Sequence, residues 1–70
     1  MKVRILIRRS SSINESSETY YIFPLAPREG DLIECLDENE EQIAVIVKEL
    51  RWKAIPPEEA VLLLECEPKQ

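Results

Sequence analysis

Seventy residues are enough for one small domain, near the lower size limit for a core that holds without staples. A composition of 44% hydrophobic and 33% charged residues is globular rather than disordered, and one glycine with five prolines excludes collagen-like and linker chains. The net charge of −5 repels long polyanions, so duplex nucleic acid is not an expected partner.

Residues 1–9 carry four cations (Lys2, Arg4, Arg8 and Arg9) and no acid, which interrupts any secretory apolar stretch. No apolar run approaches the roughly 20 residues that span a bilayer. A cytoplasmic protein with no membrane partner is expected. Val3, Ile5 and Ile7 alternate with Lys2, Arg4, Leu6 and Arg8, the pattern of a half-buried strand. Residues 10–18 are rich in serine and read as a mobile polar loop. Residues 19–25 read as a second strand, which Pro24 ends or confines to an edge. In the segment Pro27-Arg28-Glu29-Gly30-Asp31, Pro27 suits a turn corner and Gly30 takes positive φ cheaply.

Residues 32–36 predict a short third strand, residues 37–41 a hairpin turn, and residues 42–50 a fourth strand. That strand is apolar on both faces, with Ile43, Val45 and Val47 on one and Ala44 and Ile46 on the other. Residues 51–57 read as a second long connection closed by Pro56-Pro57. Residues 59–67 predict a fifth strand. A helix from Pro57 competes over 57–66, because Glu, Ala and Leu favour helices and Pro suits a first turn. The expectation is an all-β single domain, a small five-stranded half-open barrel or bent meander.

The order of long loop, turn, hairpin and proline connection resembles an SH3-like small barrel. The Pro27–Asp31 turn, the apolar strand, the acidic hairpin and the Ile43–Val47 strand together look like a group of short uncharacterised bacterial and phage proteins. The resemblance covers Tyr20 to Glu65 and implies no assigned chemistry. Those chains tend to have a glycine in the hairpin, where this one has Asp37-Glu38-Asn39-Glu40-Glu41.

Catalytic chemistry has little to stand on. The chain has no histidine, so Cys35 and Cys66 lack the usual base and cannot complete a zinc site alone. Both read as buried free thiols. Residues 37–41 superficially resemble a calcium loop, but Gln42 stands where that loop needs Gly and Lys48 where it needs Glu. No Gly-rich phosphate cradle exists. No cofactor, no metal and no enzymatic activity are expected.

The large apolar residues number 25, more than the inner face of a small barrel holds. Val61 and Leu63 point one way in the fifth strand and Leu62 and Leu64 the other, so one pair is surplus. Val61, Leu62, Leu63 and Leu64 are therefore the candidate interface of a homo-oligomer, most simply a two-fold dimer, with the parity left open. The leading expectation is a non-enzymatic binding module that self-associates and presents residues 10–18 and 51–57 to a protein partner. The alternative is a protein that sequesters a small nucleotide between subunits against Arg28, Tyr21, Arg51 and Trp52. A third reading places single-stranded nucleic acid on Arg51-Trp52-Lys53 beside Arg4 and Arg8.

Overall fold

The computed structural model describes residues 1–9, 12–15 (backbone only) and 20–69. Six strands form one curled mixed sheet, a half-barrel with no helix among the described residues. They are β1 (Lys2–Arg9), β2 (Ser12–Glu15), β3 (Tyr21–Ile22), β4 (Leu32–Leu36), β5 (Gln42–Lys53) and β6 (Val61–Pro68). The order across the sheet is β2-β1-β6-β5-β4, and β3 adds to the same edge of β1 as β2. All pairs are antiparallel except β1 with β6.

The alternation in β1 does what the sequence pattern requires. Val3, Ile5 and Ile7 are buried on the concave face, beside Leu62, Leu64 and Cys66 of β6. Val45, Val47 and Cys35 complete the core, and Tyr21, Phe23, Ile33, Ile43 and Leu50 pack around it. Each fully buried aliphatic side chain contributes about 1.5–3 kcal/mol, so this set dominates the stability of a small chain.

Four boundaries differ from the sequence reading. Ser12–Glu15, inside the expected loop 10–18, is a strand that pairs with Leu6–Arg9. Its polar composition is no obstacle, because an edge strand is held through its backbone and one face meets water. Residues 10, 11 and 16–19 lie outside the described residues. The expected strand 19–25 shrinks to Tyr21–Ile22, followed by one more reciprocal pair. The Phe23 N–H donates to the Met1 carbonyl at 2.9 Å, and the Met1 amino group donates to the Phe23 carbonyl at 3.0 Å. Pro24 then has no N–H to continue the ladder.

The third difference is β5, which runs through Arg51-Trp52-Lys53 instead of ending at Leu50. These residues pair with Leu63, Leu62 and Val61, so the connection expected at 51–57 is displaced to residues 54–60. The prolines still end the ladder, but further on. The fourth concerns the strand expected at 59–67, which forms as Val61–Pro68, and the competing helix over 57–66 is not taken. β6 has a pairing partner on each side, and that tertiary pairing outweighs the helix propensity of Glu, Ala and Leu.

A bulge at Lys48 interrupts the β5–β6 register between Val47 and Glu49. One extra residue reverses the facing of everything after it. Ile43, Val45 and Val47 face the core before the bulge, and Leu50 and Trp52 share that face after it. The Pro27–Asp31 turn docks at the same place. Gly30 has a φ of +93°, its N–H donates to the Val47 carbonyl at 2.8 Å, and the Val47 N–H donates to the Asp31 carbonyl at 3.0 Å. No neighbour crowds Gly30, so the backbone angle and not space requires glycine there. The Asp31 carboxylate accepts the Arg28 N–H at 2.7 Å and closes the turn.

The parity of β6 is now fixed. Leu62 and Leu64 are fully buried in the core of a single chain. They are removed from the expected interface, which needed them exposed. Val61 and Leu63 face the other way and stay half-buried.

Candidate interaction surface

β4 is the last strand of the sheet, and its outer edge faces the segment 21–27 across an open seam. Its backbone alternates as an antiparallel strand must. Asp31 and Asp37 bond to β5 and to its hairpin, through Val47 N–H to Asp31 O and Asp37 N–H to Glu41 O. Residues 33 and 35 follow the same parity, so Leu32, Glu34 and Leu36 turn their N–H and C=O groups outward. Of these groups, only the Leu36 N–H has a partner among the described residues. It donates to the Tyr21 hydroxyl at 3.2 Å. Tyr21 thereby spans from β3 on one edge of the sheet to β4 on the other.

The seam widens on both sides of that contact. One groove of about 560 Å³ runs past Tyr21, Leu36 and Ile43. A second of about 750 Å³ lies between Leu25 and Pro27 on one wall and Leu32 and Ile33 on the other. The rims are apolar and wet: Leu25 is 79% exposed, Leu32 52% and Leu36 38%. Glu34 projects between Leu32 and Leu36, opposite Ala44, and makes no ion pair among the described residues.

The acidic hairpin after β4 is built by Asp37, which is itself buried. Its Oδ1 accepts the Asn39 N–H at 2.8 Å and the Glu41 N–H at 3.0 Å. Arg9 of β1 reaches its Oδ2 at 3.8 Å and Glu38 at 3.3 Å, which ties the far end of β1 to the hairpin. Glu40 takes the left-handed φ of +62° where a glycine would be comfortable. Asp37 is thus committed to the turn, and among the described residues no group of three or more His, Cys, Asp or Glu could hold a metal ion.

The residues expected to line a nucleotide site do not converge within one chain. Tyr21 lines the first groove and Arg28 the second, while Arg51 and Trp52 lie at the far end of β5 beside Ile55 and Leu63. As strand neighbours, Arg51 and Trp52 face opposite sides of the sheet. Arg51 pairs with Glu65 at 3.5 Å, and Arg8 holds the same carboxylate at 2.7 Å. Glu65 is buried between these two cations and stands opposite Glu49 across the ladder. Lys2 and Arg4 lie over the Tyr20 ring at 4.6 and 5.0 Å. Of the cations proposed to meet single-stranded nucleic acid, Arg8 and Arg51 are therefore engaged with a carboxylate and Arg4 with an aromatic ring, while Lys53 makes no ion pair among the described residues.

Both thiols are free and buried. Burial, and secondarily Asp37, pushes the Cys35 thiol up. Burial, and secondarily Cys35, pushes Cys66 up to about 12. Neither is a thiolate at neutral pH, so neither is primed as a nucleophile.

No family model, no curated protein and no solved structure matches this chain. The functional reading therefore rests on the geometry. Sequence reasoning passed over Leu32, Glu34 and Leu36, because edge position is a property of topology. The signal available was a single charge inside the apolar run Leu-Ile-Glu-Cys-Leu, a device that sheet edges use against uncontrolled pairing.

Proposed function

We propose that this protein is a non-catalytic interaction module that receives an extended segment of a protein partner along β4. The observation that carries the reading is the outward row of backbone groups at Leu32, Glu34 and Leu36, flanked by two grooves with apolar rims. An added strand satisfies those groups, and the grooves take its alternate side chains. The buried free thiols suit a reducing compartment, in keeping with a cytoplasmic site of action.

The test is selection of a random heptapeptide display library on the immobilised protein, with Glu34→Pro as the counter-target. Proline at 34 removes an N–H that points away from β5, so the β4–β5 ladder survives and the edge is blocked. Enriched peptides that bind the parent and not Glu34→Pro support the proposal. An absence of enrichment, or peptides that bind both proteins equally, overturns it.

Self-association is a second reading, favoured by a separate apolar patch. Trp52, Ala54, Ile55 and Leu63 line a shallow concavity of about 330 Å³ at the end of β5, with Trp52 56% exposed. Native mass spectrometry of the parent and Leu63→Glu decides it. A dimer that becomes a folded monomer in the variant supports this reading, and a monomeric parent removes it.

A further inference from the structure

The edge of β4 carries information about its occupant. Leu32, Glu34 and Leu36 lie on one face of the strand, so a paired segment meets them with its own residues at alternate positions. Two occupants fit the geometry: a second copy of β4 or a different extended chain. Charge separates them.

A two-fold antiparallel pair of β4 strands has few registers. Centring on Glu34 sets Leu32 against Leu36 of the other copy, and Glu34 directly against Glu34. Shifting by one step in either direction sets each Glu34 against a leucine. Like charges directly opposite destabilise a sheet pair, and a carboxylate against leucine gains nothing. The surroundings add to this. Glu29 and Asp31, with Arg28 beside them, precede β4, and Glu38 (held by Arg9), Glu40 and Glu41 follow it, so acids remain in excess. The two-fold operation lays the acidic hairpin of one copy beside the acidic turn of the other.

Resting on the strand-addition reading above, we infer that the occupant of the β4 edge is a cationic extended segment of another protein, with Lys or Arg opposite Glu34 and apolar residues two positions to either side. Leu32 and Leu36 receive the apolar pair, and Glu34 receives the cation. The neighbouring acids raise the encounter rate and make it salt-dependent. Tyr21 occupies the Leu36 N–H in the free protein and yields it when the strand arrives.

The probes are three acetylated, amidated heptapeptides with threonine spacers. They carry leucine, X and leucine at alternate positions, where X is lysine, glutamine or glutamate. Binding is read as chemical-shift changes at the Leu32–Leu36 amides of labelled protein, titrated to millimolar peptide. The lysine peptide is expected to bind about three- to tenfold more tightly than the glutamate peptide, with glutamine between. In Glu34→Lys that order reverses, and in Glu34→Gln it flattens while the fold is untouched. Equal affinities that vanish in Glu34→Pro overturn the charge inference and leave strand addition standing. Shifts that persist in Glu34→Pro, or no shifts with any peptide, overturn both. A dimer whose β4 amides are protected from exchange assigns the edge to a second copy and also overturns the inference.

Discussion

Leu62 and Leu63 are the same residue type at adjacent positions, and the structure assigns them opposite fates. Leu62 is 1% exposed and sits between Val3 of β1 and Trp52 of β5. Leu63 is half-buried on the convex face between Arg4 and Arg51, whose aliphatic stems flank it. Truncating a fully buried leucine to alanine costs about 2–5 kcal/mol, from lost transfer energy and the cavity left behind. At roughly 0.05–0.15 kcal/mol per residue the whole chain has about 3.5–10 kcal/mol. Leu62→Ala thus removes a large fraction of the stability, whereas Leu63→Ala removes about 1 kcal/mol. With a urea slope of about 1 kcal/mol per molar, the midpoints fall by about 2–5 M and about 1 M respectively. Leu62→Glu goes further and unfolds the chain, because it buries an unpaired charge. Leu63→Glu stays folded. The assay is urea unfolding followed by far-ultraviolet circular dichroism, with the single tryptophan as a second probe. Equal losses for the two alanine variants, or a larger loss for Leu63, would refute the β6 register and every facing derived from it.

Glu40→Gly relieves the left-handed backbone at the hairpin, which costs a non-glycine residue about 1–2 kcal/mol, against about 0.5–1 kcal/mol of added unfolded-state entropy. Calorimetry should show Tm rising by a few degrees, and a fall would place the strain elsewhere. Asp37→Ala strands the Asn39 and Glu41 N–H groups and loses the Arg9 contact, so about 1–2 kcal/mol disappears in urea titration, while Asp37→Asn retains the Oδ1 acceptor and part of the stability. Tyr21→Phe leaves the core intact and frees the Leu36 N–H, so hydrogen exchange at Leu36 accelerates with a loss of about 1 kcal/mol or less. Both thiols are raised in the folded state, so the unfolded chain ionises first as pH rises. The Cys66 contribution is complete below about pH 9 and is lost toward pH 12, at up to about 1.4 kcal/mol per pH unit, and Cys35 acts in the same direction. Thermal melts across that window should fall less steeply in Cys66→Ala, and an unchanged slope would exclude the thiol as the cause.

How much of this was readable in advance depended on whether each cue was local. β1 was legible because its alternation is clean and one face is basic. Gly30 was legible because it is the only glycine and a turn that needs positive φ has no cheaper occupant. The hairpin at 37–41 was legible as a turn, but its use of Asp37 as a double acceptor was not, since any of four acids there could have served. The bulge at Lys48 left a trace that periodicity alone misreads. Apolar residues run at 43, 45 and 47 and then at 50 and 52, with Lys48 and Glu49 as two consecutive polar residues at the slip. Reading that slip as the end of a strand put Arg51-Trp52-Lys53 in a connection.

The apolar surplus has a physical origin that composition could not reveal. β6 is the central strand, with β1 parallel on one side and β5 antiparallel on the other. A central strand is covered on its concave face by the core and on its convex face by the long side chains of its neighbours. Leu63 needs no second subunit to be half-buried, because Arg4 and Arg51 flank it. Five-strand arithmetic assumes that every outward position meets water, and so it over-counts the exposed leucines of a central strand. The same topology accounts for part of the apolar exposure, the rest lying mainly at Ile22, Leu25, Trp52 and Ile55. Leu32 and Leu36 sit on the edge strand, which has a neighbour on one side only. Reading the chain from the residues upward pointed to β6 for an interface, and the sheet order adds an open strand edge at β4.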